Sequence, residues 1–391
     1  MKHKNIAYIS TAALRDNYRA IEKITGENAP ACPPKIIAVV KADAYGHGIE
    51  IVAGALGDAG CSFFAVSSEE EAVELRGIEK KNGREPEILI LSRISPENVP
   101  DMIEKNITAA VTSYDNALSL AEAARECGGR LKIHVKLDTG MNRVGFSARE
   151  EDAESTADMI KELSEIGGLS LEGVFTHFSS ADDELLDHKI IEEYAPFGGY
   201  TKMQLARFNH MIDLLKVRGV DPGLIHASNS AAILSLPEAY FGAVRAGIIL
   251  YGLMPNGAED GRFTPAMRFE STVTHLHEIK KGERVSYGAV FTAECDMKIA
   301  TISAGYADGF ERAYTGCEIE IGGKKYRQVG RICMDQFMAD VTGNDEIKVG
   351  DRAVLFGGGN GESTNVLARL AGTINYEVVC KISKRVCRVK E

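Results

Sequence analysis

The 391-residue sequence contains no apolar run close to the roughly 20 residues that a membrane-spanning helix requires. Its start, MKHKNIAYIS, also lacks the apolar stretch of a secretory signal. Basic residues are few, with 45 lysines and arginines against 56 aspartates and glutamates and a net charge of -11. Because nucleic-acid binding requires clustered basic residues, these absences argue against membrane and nucleic-acid partners and predict a cytoplasmic protein.

Two motifs with well-defined chemistry are also missing. The cysteines form no C-x-x-C pair, so we expect reduced thiols without a zinc site or a disulfide framework; they are Cys32, Cys61, Cys127, Cys295, Cys317, Cys333, Cys380 and Cys387. His275 and His277 are two residues apart, and an exposed strand face explains this spacing better than a metal site, so no metal is expected. No G-x-G-x-x-G follows the first predicted strand, which disfavours a dinucleotide-binding fold.

Between about residues 10 and 250, short apolar runs alternate with amphipathic stretches, as in repeated βα units. Leu14, Tyr18 and Ile21 share one helical face behind Ser10 or Thr11 as the N-cap. The runs predicted as strands are 36–40, 63–66, 88–91, 109–111, 133–137, 171–175, 224–227 and 243–245. Their number is that of a (β/α)₈ TIM barrel, and the predicted class is therefore α/β.

After residue 252 the pattern becomes that of strands and turns. Alternating runs over 271–279, 285–292, 298–303, 318–321 and 324–329 predict a mostly β C-terminal domain. The Gly322-Gly323 pair predicts a two-residue hairpin between the last two runs. We place the domain boundary near Pro255, with a barrel over 1–254 and a β-rich domain over 255–391. The first few residues are a possible exception to this division, because they could pair with strands of the β domain.

In a TIM barrel the active site lies at the carboxyl ends of the strands. Residues at or after those ends are Lys41, Lys136, Arg143, His177, Asn229, Ser230, Arg245 and Gly247. Small and hydroxyl residues after the seventh and eighth strands suit a phosphate site, although loop capping explains each alone equally well; they are Ser228, Asn229, Ser230, Gly247 and Ile248. A lysine at a strand end suits Schiff-base chemistry, which needs a lowered pKa, whereas position alone favours a solvated surface lysine.

The segment around Lys41 closely resembles a known family. VVKADAYGHG (39–48) is similar to the pyridoxal-phosphate lysine motif of alanine racemases. Eight further segments resemble that family's motifs in its order: KLDTGMNRVG (136–145), THFSSAD (176–182), ASNSAA (227–232), VRAGIILYG (244–252), VSYGAVF (285–291), GYADG (305–309), CMDQ (333–336) and NYEVVC (375–380). The resemblance therefore extends over both predicted domains.

The resemblance implies a homodimer with shared active sites that interconverts L- and D-alanine and supplies D-alanine for peptidoglycan. Lys41 would bind pyridoxal 5'-phosphate and act as one base, Tyr287 of the partner subunit would be the second base, and Arg245 would bind the pyridine nitrogen. The other implied residues are Tyr45, Asn229, Ser230, Gly247, Ile248 and Tyr376 at the phosphate, His177 against the cofactor, Arg143 and Met334 at the substrate, and Lys136, Tyr306, Cys333 and Asp335 as supporting or entrance residues.

Several alternatives remain open at this stage. A serine racemase or one of broader specificity would keep the same catalytic pair, since the shape of the pocket sets the substrate. A non-catalytic cofactor carrier is disfavoured by the β domain, and a related decarboxylase by Arg245 in place of an acid. By composition alone, Tyr287 and Tyr376 would be packing residues. Members of this family can carry a carbamate on the lysine at position 136, and a cationic Lys136 paired with Asp138 or another acid fits the sequence equally well.

Overall fold

A computed structural model describes residues 4–182, 199–358 and 361–391 of the chain. Its first part contains a ring of parallel strands whose residues are mostly buried on both sides, as is typical of parallel sheets. The strands of the ring are β2 (Lys35–Val39), β3 (Phe63–Val66), β4 (Glu87–Ile90), β5 (Thr108–Val111), β6 (Leu131–Asp138), β8 (Leu169–Phe175), β9 (Leu224–His226) and β10 (Ala243–Ala246). The predicted strands are thereby confirmed to within two residues at each end.

The ring closes because its strands pair in a continuous parallel order. The order is β5-β4-β3-β2-β10-β9-β8-β6, and β6 pairs back to β5 with Ala109 opposite Ile133. A short strand, β7 (Phe146–Ser147), adds to the edge of β6. The N-terminal part is thus a (β/α)₈ barrel, as predicted.

Helices cover the outside of the barrel, each with an apolar face toward the strands. The described helices are α1 (Thr11–Asn28), α2 (Ile49–Asp58), α3 (Glu69–Lys81), α4 (Val99–Glu104), α5 (Tyr114–Glu126), α6 (Ala153–Glu165), α7 (Tyr200–Val217) and α8 (Ser230–Ser235). Ser10 caps α1, because its hydroxyl accepts a hydrogen bond from the Ala13 N–H at 3.2 Å. Among the described helices, none combines the length and apolar character needed to span a membrane.

The C-terminal part is mostly antiparallel sheet. Its strands, with β1 from the N-terminus, are β1 (Ile6–Ile9), β11 (Met267–Ile279), β12 (Arg284–Val285), β13 (Phe291–Thr292), β14 (Met297–Ile302), β15 (Glu318–Ile321), β16 (Lys324–Val329), β17 (Phe337–Asp340), β18 (Arg352–Phe356) and β19 (Cys387–Lys390). The pairings β11-β14-β17-β16-β15-β18-β11 form a second closed ring. β1 pairs with β11 and β19, so the chain begins in the sheet in which it ends.

Two details of this region differ from the sequence-based expectation. The predicted strand 285–292 is wrong, because a turn over Tyr287–Ala289 separates β12 from β13. Ser286 there has φ of 69°, which a continuous strand does not allow. Two helices, α9 (Thr364–Ala371) and α10 (Asn375–Cys380), also interrupt the sheet. The hairpin at Gly322-Gly323 is confirmed, with φ of 61° and 80°.

All eight cysteines are free thiols in the structure. His275 and His277 lie on the exposed face of β11, with ring centroids 5.1 Å apart. The proposed domain boundary lies in the connection between β10 and β11.

Candidate active site

Arg245 on β10 is the central cation at the carboxyl end of the barrel. Its side chain donates to the carbonyls of Thr176 and Ala227, each at 2.7 Å, and to Nδ1 of His226 at 2.8 Å. A further contact of 3.3 Å joins Nη2 to Nδ1 of His177. The residue is only 3% exposed, and among the described residues no carboxylate forms an ion pair with it. Burial lowers the pKa of this guanidinium to about 9.

Positive charge accumulates around His177, which follows β8. Burial, and then the charges of Arg245, Lys136, Arg143 and Lys41, hold the pKa of His177 well below its usual value. Burial, followed by the charge of Arg143, also lowers the pKa of the Lys41 ammonium. The structure therefore brings these predicted site residues into one electrostatic group, which suits an anionic ligand.

Lys136 on β6 is buried and forms no ion pair in the described part of the chain. Its ammonium donates to the Leu137 carbonyl at 3.0 Å and lies 5.6 Å from the centre of the Phe175 ring. Burial, and then the charge of Arg245, lower its pKa to about 7. Lys136 and Asp138 form no ion pair among the described residues, although the charge of Asp138 raises the pKa of Lys136. Asp138 accepts from the N–H groups of 140, 142 and 143.

Lys41 follows β2 after a single residue, Val40, and begins a left-handed helical turn, Lys41–Tyr45. Ala42, Asp43, Ala44 and Tyr45 all have φ between 52° and 54°. Such a conformation costs roughly 1–2 kcal/mol for each residue with a Cβ, so neighbouring groups must hold it in place. The turn directs Tyr45 into the interior next to Gly247, while Lys41 stays at the strand end.

Two carboxylates that the sequence did not single out hold this turn. Glu71 on α3 accepts from the Ala42 N–H at 2.6 Å, and its other oxygen accepts from the Ser67 N–H at 2.8 Å. Asp43 accepts from the Ile49 N–H at 2.8 Å and so satisfies the first free N–H group of α2. In the sequence, only the small residues on both sides of Asp43 point to this turn, and they do not reveal the sign of φ.

The loops after β9 and β10 form a cradle of small groups. Ser230 Oγ accepts from the Gly247 N–H at 2.9 Å, and a Cβ added to Gly247 would lie 2.9 Å from the Tyr45 hydroxyl. Asn229 caps α8 by accepting from Ala232 N–H at 3.0 Å. Ser228, in contrast, donates to the Ala239 carbonyl at 2.7 Å and is a structural residue. Ile248 is buried beside the cradle, at the start of a short turn over Ile248–Tyr251.

Tyr376 joins this cradle from the β domain. Gly46 packs so closely on α10 that a Cβ there would lie 2.2 Å from the Val379 carbonyl oxygen. As a result the Tyr376 and Tyr45 rings lie 6.1 Å apart, and Tyr45 also packs on Tyr251 at 5.0 Å. Burial raises the pKa of both the Tyr45 and the Tyr376 hydroxyls, so they are neutral donors at neutral pH.

The remaining predicted residues form a second group on the β domain. Tyr287 is 70% exposed and shares a shallow pocket with Ser286, Gly288, Ala289 and Cys333. The Ser286 hydroxyl donates to the Arg331 carbonyl at 2.6 Å and lies 3.5 Å from Cys333 Sγ. The pocket therefore consists of β-domain residues only.

Three more predicted residues flank that pocket. Tyr306 N–H donates to the Cys333 carbonyl at 3.1 Å, which joins the GYADG and CMDQ segments. Met334 is 52% exposed, and Asp335 accepts from Arg385 at 2.8 Å. We call Tyr287, Tyr306, Cys333, Met334 and Asp335 the β-domain group. In the described residues, no hydrogen bond or ion pair joins this group to Lys41.

Sequence reasoning did not identify the residues that support Arg245 from within the barrel. His226 on β9 stacks on Phe175 with ring centroids 4.9 Å apart and contacts His134 on β6 at 2.9 Å. Both histidines occupy inward positions of predicted strands, and polar residues at such positions were a signal. The signal could not show that they contact Arg245.

Comparison with known proteins adds independent findings. Family patterns described as alanine racemase, N-terminal domain and alanine racemase, C-terminal domain match residues 9–255 and 266–390. An alanine racemase of Desulforamulus reducens is 40% identical over 100% of this chain and 99% of its own. The structure of an alanine racemase of Clostridium difficile 630 is similar with a TM-score of 0.88 and 37% identity, over 100% of this chain and 96% of that one. An alanine racemase of Streptomyces lavendulae gives 0.87 and 32%, over 100% and 98%.

Proposed function

This chain belongs to the alanine racemase family and is an isomerase, and from this membership we propose that it interconverts L- and D-alanine with pyridoxal 5'-phosphate at the barrel mouth. The observation that carries the proposal is the cationic group around Arg245, which among the described residues has no carboxylate partner. Buried charge is costly unless it is compensated. A phosphorylated, anionic cofactor supplies that compensation.

The residues at the barrel mouth fit pyridoxal phosphate. The cradle formed by Ser230, Gly247 and Tyr45 has room for phosphate oxygens because Gly247 carries no Cβ. Asn229, Ile248 and Tyr376 complete it. Lys41 would bind the aldehyde carbon, and His177 would lie against the ring. When bound, pyridoxal phosphate supplies an electron sink that allows the Cα proton of an amino acid to leave.

Arg245 would face the pyridine nitrogen of the cofactor. A guanidinium has only donors and keeps its proton at neutral pH, even with a pKa of about 9. It would therefore donate to that nitrogen without transferring a proton to it. Such a contact would limit the electron sink that the cofactor supplies and would favour return of the Cα proton over side reactions such as transamination.

Racemisation requires a base on each face of the substrate carbon. Lys41 is the base on one face, and its lowered pKa increases the fraction of amine able to accept a proton. For the opposite face we propose Tyr287 of the partner subunit. Arg143 and Met334 would bind the carboxylate end of the substrate, while Tyr306, Cys333 and Asp335 would form the entrance and Lys136 would support the site.

A homodimer accounts for the exposure of the β-domain group. Tyr287 and Met334 are large side chains that are 70% and 52% exposed in the single chain. Clustered exposed side chains of this kind mark interaction surfaces. In a two-fold dimer this group would cover the barrel mouth of the other subunit, and each site would contain residues from both chains. The D-alanine formed would supply peptidoglycan synthesis.

The test is to incubate the purified protein with L-alanine in deuterated water and to measure D-alanine and Cα-deuterium together. We expect both in the presence of pyridoxal phosphate and neither after its removal. L-Serine is tested in parallel and should react more slowly. Exchange of deuterium without D-alanine would exclude a two-base racemase, and absence of both would support a cofactor carrier.

A further inference from the structure

A line of hydrogen bonds crosses the barrel interior below the proposed cofactor site. Arg245 Nη1 contacts Nδ1 of His226 at 2.8 Å, and Nε2 of His226 contacts Nδ1 of His134 at 2.9 Å. The three residues belong to β10, β9 and β6, and both histidines are buried. His134 also lines a cavity of about 180 Å³ at the amino-terminal ends of the strands, opposite the active site.

The positions of the hydrogens along this line follow from the chemistry of Arg245, at its upper end. A guanidinium nitrogen can only donate, so His226 Nδ1 must accept and carries no hydrogen. A neutral His226 then has its hydrogen on Nε2 and donates to Nδ1 of His134. His134, if neutral, must carry its own hydrogen on Nε2. Each tautomer is therefore determined by the residue before it.

Both histidines are neutral for physical reasons. Burial, and then the charge of Arg245, lower the pKa of His134 to about 3 and hold that of His226 well below its usual value. Lys136 also faces His226, while Lys35, Glu87, Lys132 and Glu172 line the cavity beside His134. A proton on His134 Nδ1 would confront the hydrogen on His226 Nε2, so protonation would break the line.

We propose that His134 is a positioning residue, which accepts the Nε2 hydrogen of His226 and thereby holds His226 as the neutral acceptor that orients Arg245. No described group accepts from His134 Nε2 at hydrogen-bond distance, and we assign solvent in the cavity as its acceptor. The effect on catalysis rests on the proposed function, whereas the tautomers do not.

The choice of an imidazole rather than a carboxylate has a consequence for Arg245. A carboxylate partner would neutralise the guanidinium, but a neutral imidazole fixes its direction and leaves its full charge for the cofactor side. Without His134, the Nε2 hydrogen of His226 would be buried without a partner, and the ring would be free to turn. Arg245 would then lose one of its fixed acceptors.

The first measurement is ¹⁵N NMR of the histidine-labelled holoenzyme at neutral pH, repeated after removal of the cofactor. We expect His134 and His226 as neutral Nε2–H tautomers in both states, with His134→Gln and His226→Gln used for assignment. A hydrogen on Nδ1 of either ring, or an imidazolium, would overturn the proposal even if the protein has no racemase activity.

The second measurement compares His134→Leu with His134→Gln, whose amide oxygen can accept, and with His210→Leu, an exposed histidine on α7, as control. We expect kcat to fall about tenfold in His134→Leu, with KM and cofactor occupancy within about twofold, and His134→Gln to recover most of the loss. Pyruvate formed by transamination should rise relative to racemisation only in His134→Leu.

Equal losses of kcat in His134→Leu and His134→Gln would indicate that His134 acts through packing alone and would contradict the proposal. If His134→Leu does not fold, the NMR measurement on the wild-type protein decides whether the proposed tautomers are correct.

Discussion

The barrel mouth and the β-domain group differ in how completely a single chain builds them. At the barrel mouth, Arg245 makes hydrogen bonds to carbonyls and imidazoles from several strands, and the Tyr45 hydroxyl, Ser230 and Gly247 fit together within a few ångströms. The β-domain group, in contrast, leaves Tyr287 and Met334 exposed to solvent. Under the proposed function, one chain would preorganise the side of the site that holds the cofactor, and a second copy would complete the substrate side.

The largest effect is expected from the barrel side. Lys41→Ala should reduce kcat for racemisation by at least about a thousandfold, because it removes the residue that we propose as one of the two bases. Borohydride reduction of the wild-type holoenzyme should attach the cofactor to Lys41, as read by peptide mass spectrometry. Lys35→Ala, at the opposite end of the same strand, is the matched control and should keep full activity. A label on any other lysine would contradict the assignment.

The next prediction addresses the β-domain group directly. Tyr287→Phe should abolish racemisation yet leave cofactor affinity within about twofold of wild type, since we propose that the cofactor binds at the barrel mouth and not at Tyr287. Mixed with Lys41→Ala chains by dissociation and reassociation, it should recover roughly a quarter of wild-type activity. About half of the dimers are then mixed, and each has one intact site.

The outcome of the mixing experiment distinguishes the two arrangements. Recovery requires that Lys41 and Tyr287 of one site come from different chains. If the mixture stays inactive while reassociated wild type recovers, Tyr287 acts within its own chain or is not a base, and the contrast between the two regions is lost.

A smaller effect is expected from a substitution in the cradle, which tests whether the cradle contacts the cofactor. Gly247→Ala would introduce a Cβ 2.9 Å from the Tyr45 hydroxyl and 3.5 Å from Ser230 Oγ. We expect cofactor binding to weaken about tenfold, which corresponds to about 1.4 kcal/mol. Gly167→Ala is the control, because no atom lies within 4 Å of its added Cβ. Fluorescence titration with pyridoxal phosphate measures both, and equal affinities would show that the cradle does not contact the cofactor.

The smallest effect concerns stability rather than activity. The folded-state pKa of Lys136 is lowered from 10.5 to about 7, so between these values the unfolded chain binds the extra proton. Between pH 7 and 10.5, the free energy of unfolding should therefore rise by about 1.4 kcal/mol per pH unit from this group alone. Below pH 7 the folded protein carries the full destabilisation from burying the charged Lys136. Denaturant titrations in CO₂-free buffer at pH 7 and 9 compare wild type with Lys136→Met. Parallel pH dependence in the two proteins would argue against a buried, unpaired amine.

Most of the fold could be predicted because it depends on local pattern. The barrel strands are short apolar runs at regular spacing, and their ends agree with the structure to within two residues. The exception at 285–292 is instructive. Its residues alternate like a strand, but the left-handed conformation of Ser286 turns the chain and exposes Tyr287. The sign of a backbone φ angle depends on the packed structure and leaves no periodic pattern in the sequence.

The amino-acid sequence alone determined the two architectures, the strand ends at which a site forms, and through its motifs the family and the candidate residues. Only the tertiary structure decided how these residues are held: the left-handed turn after Lys41, its support by Glu71, and the line from Arg245 through His226 to His134. The physical reason is the range of the interactions. Periodicity and capping act between residues close in sequence, whereas compensation of buried charge depends on groups that only folding brings together; His134 and His226 are 92 residues apart.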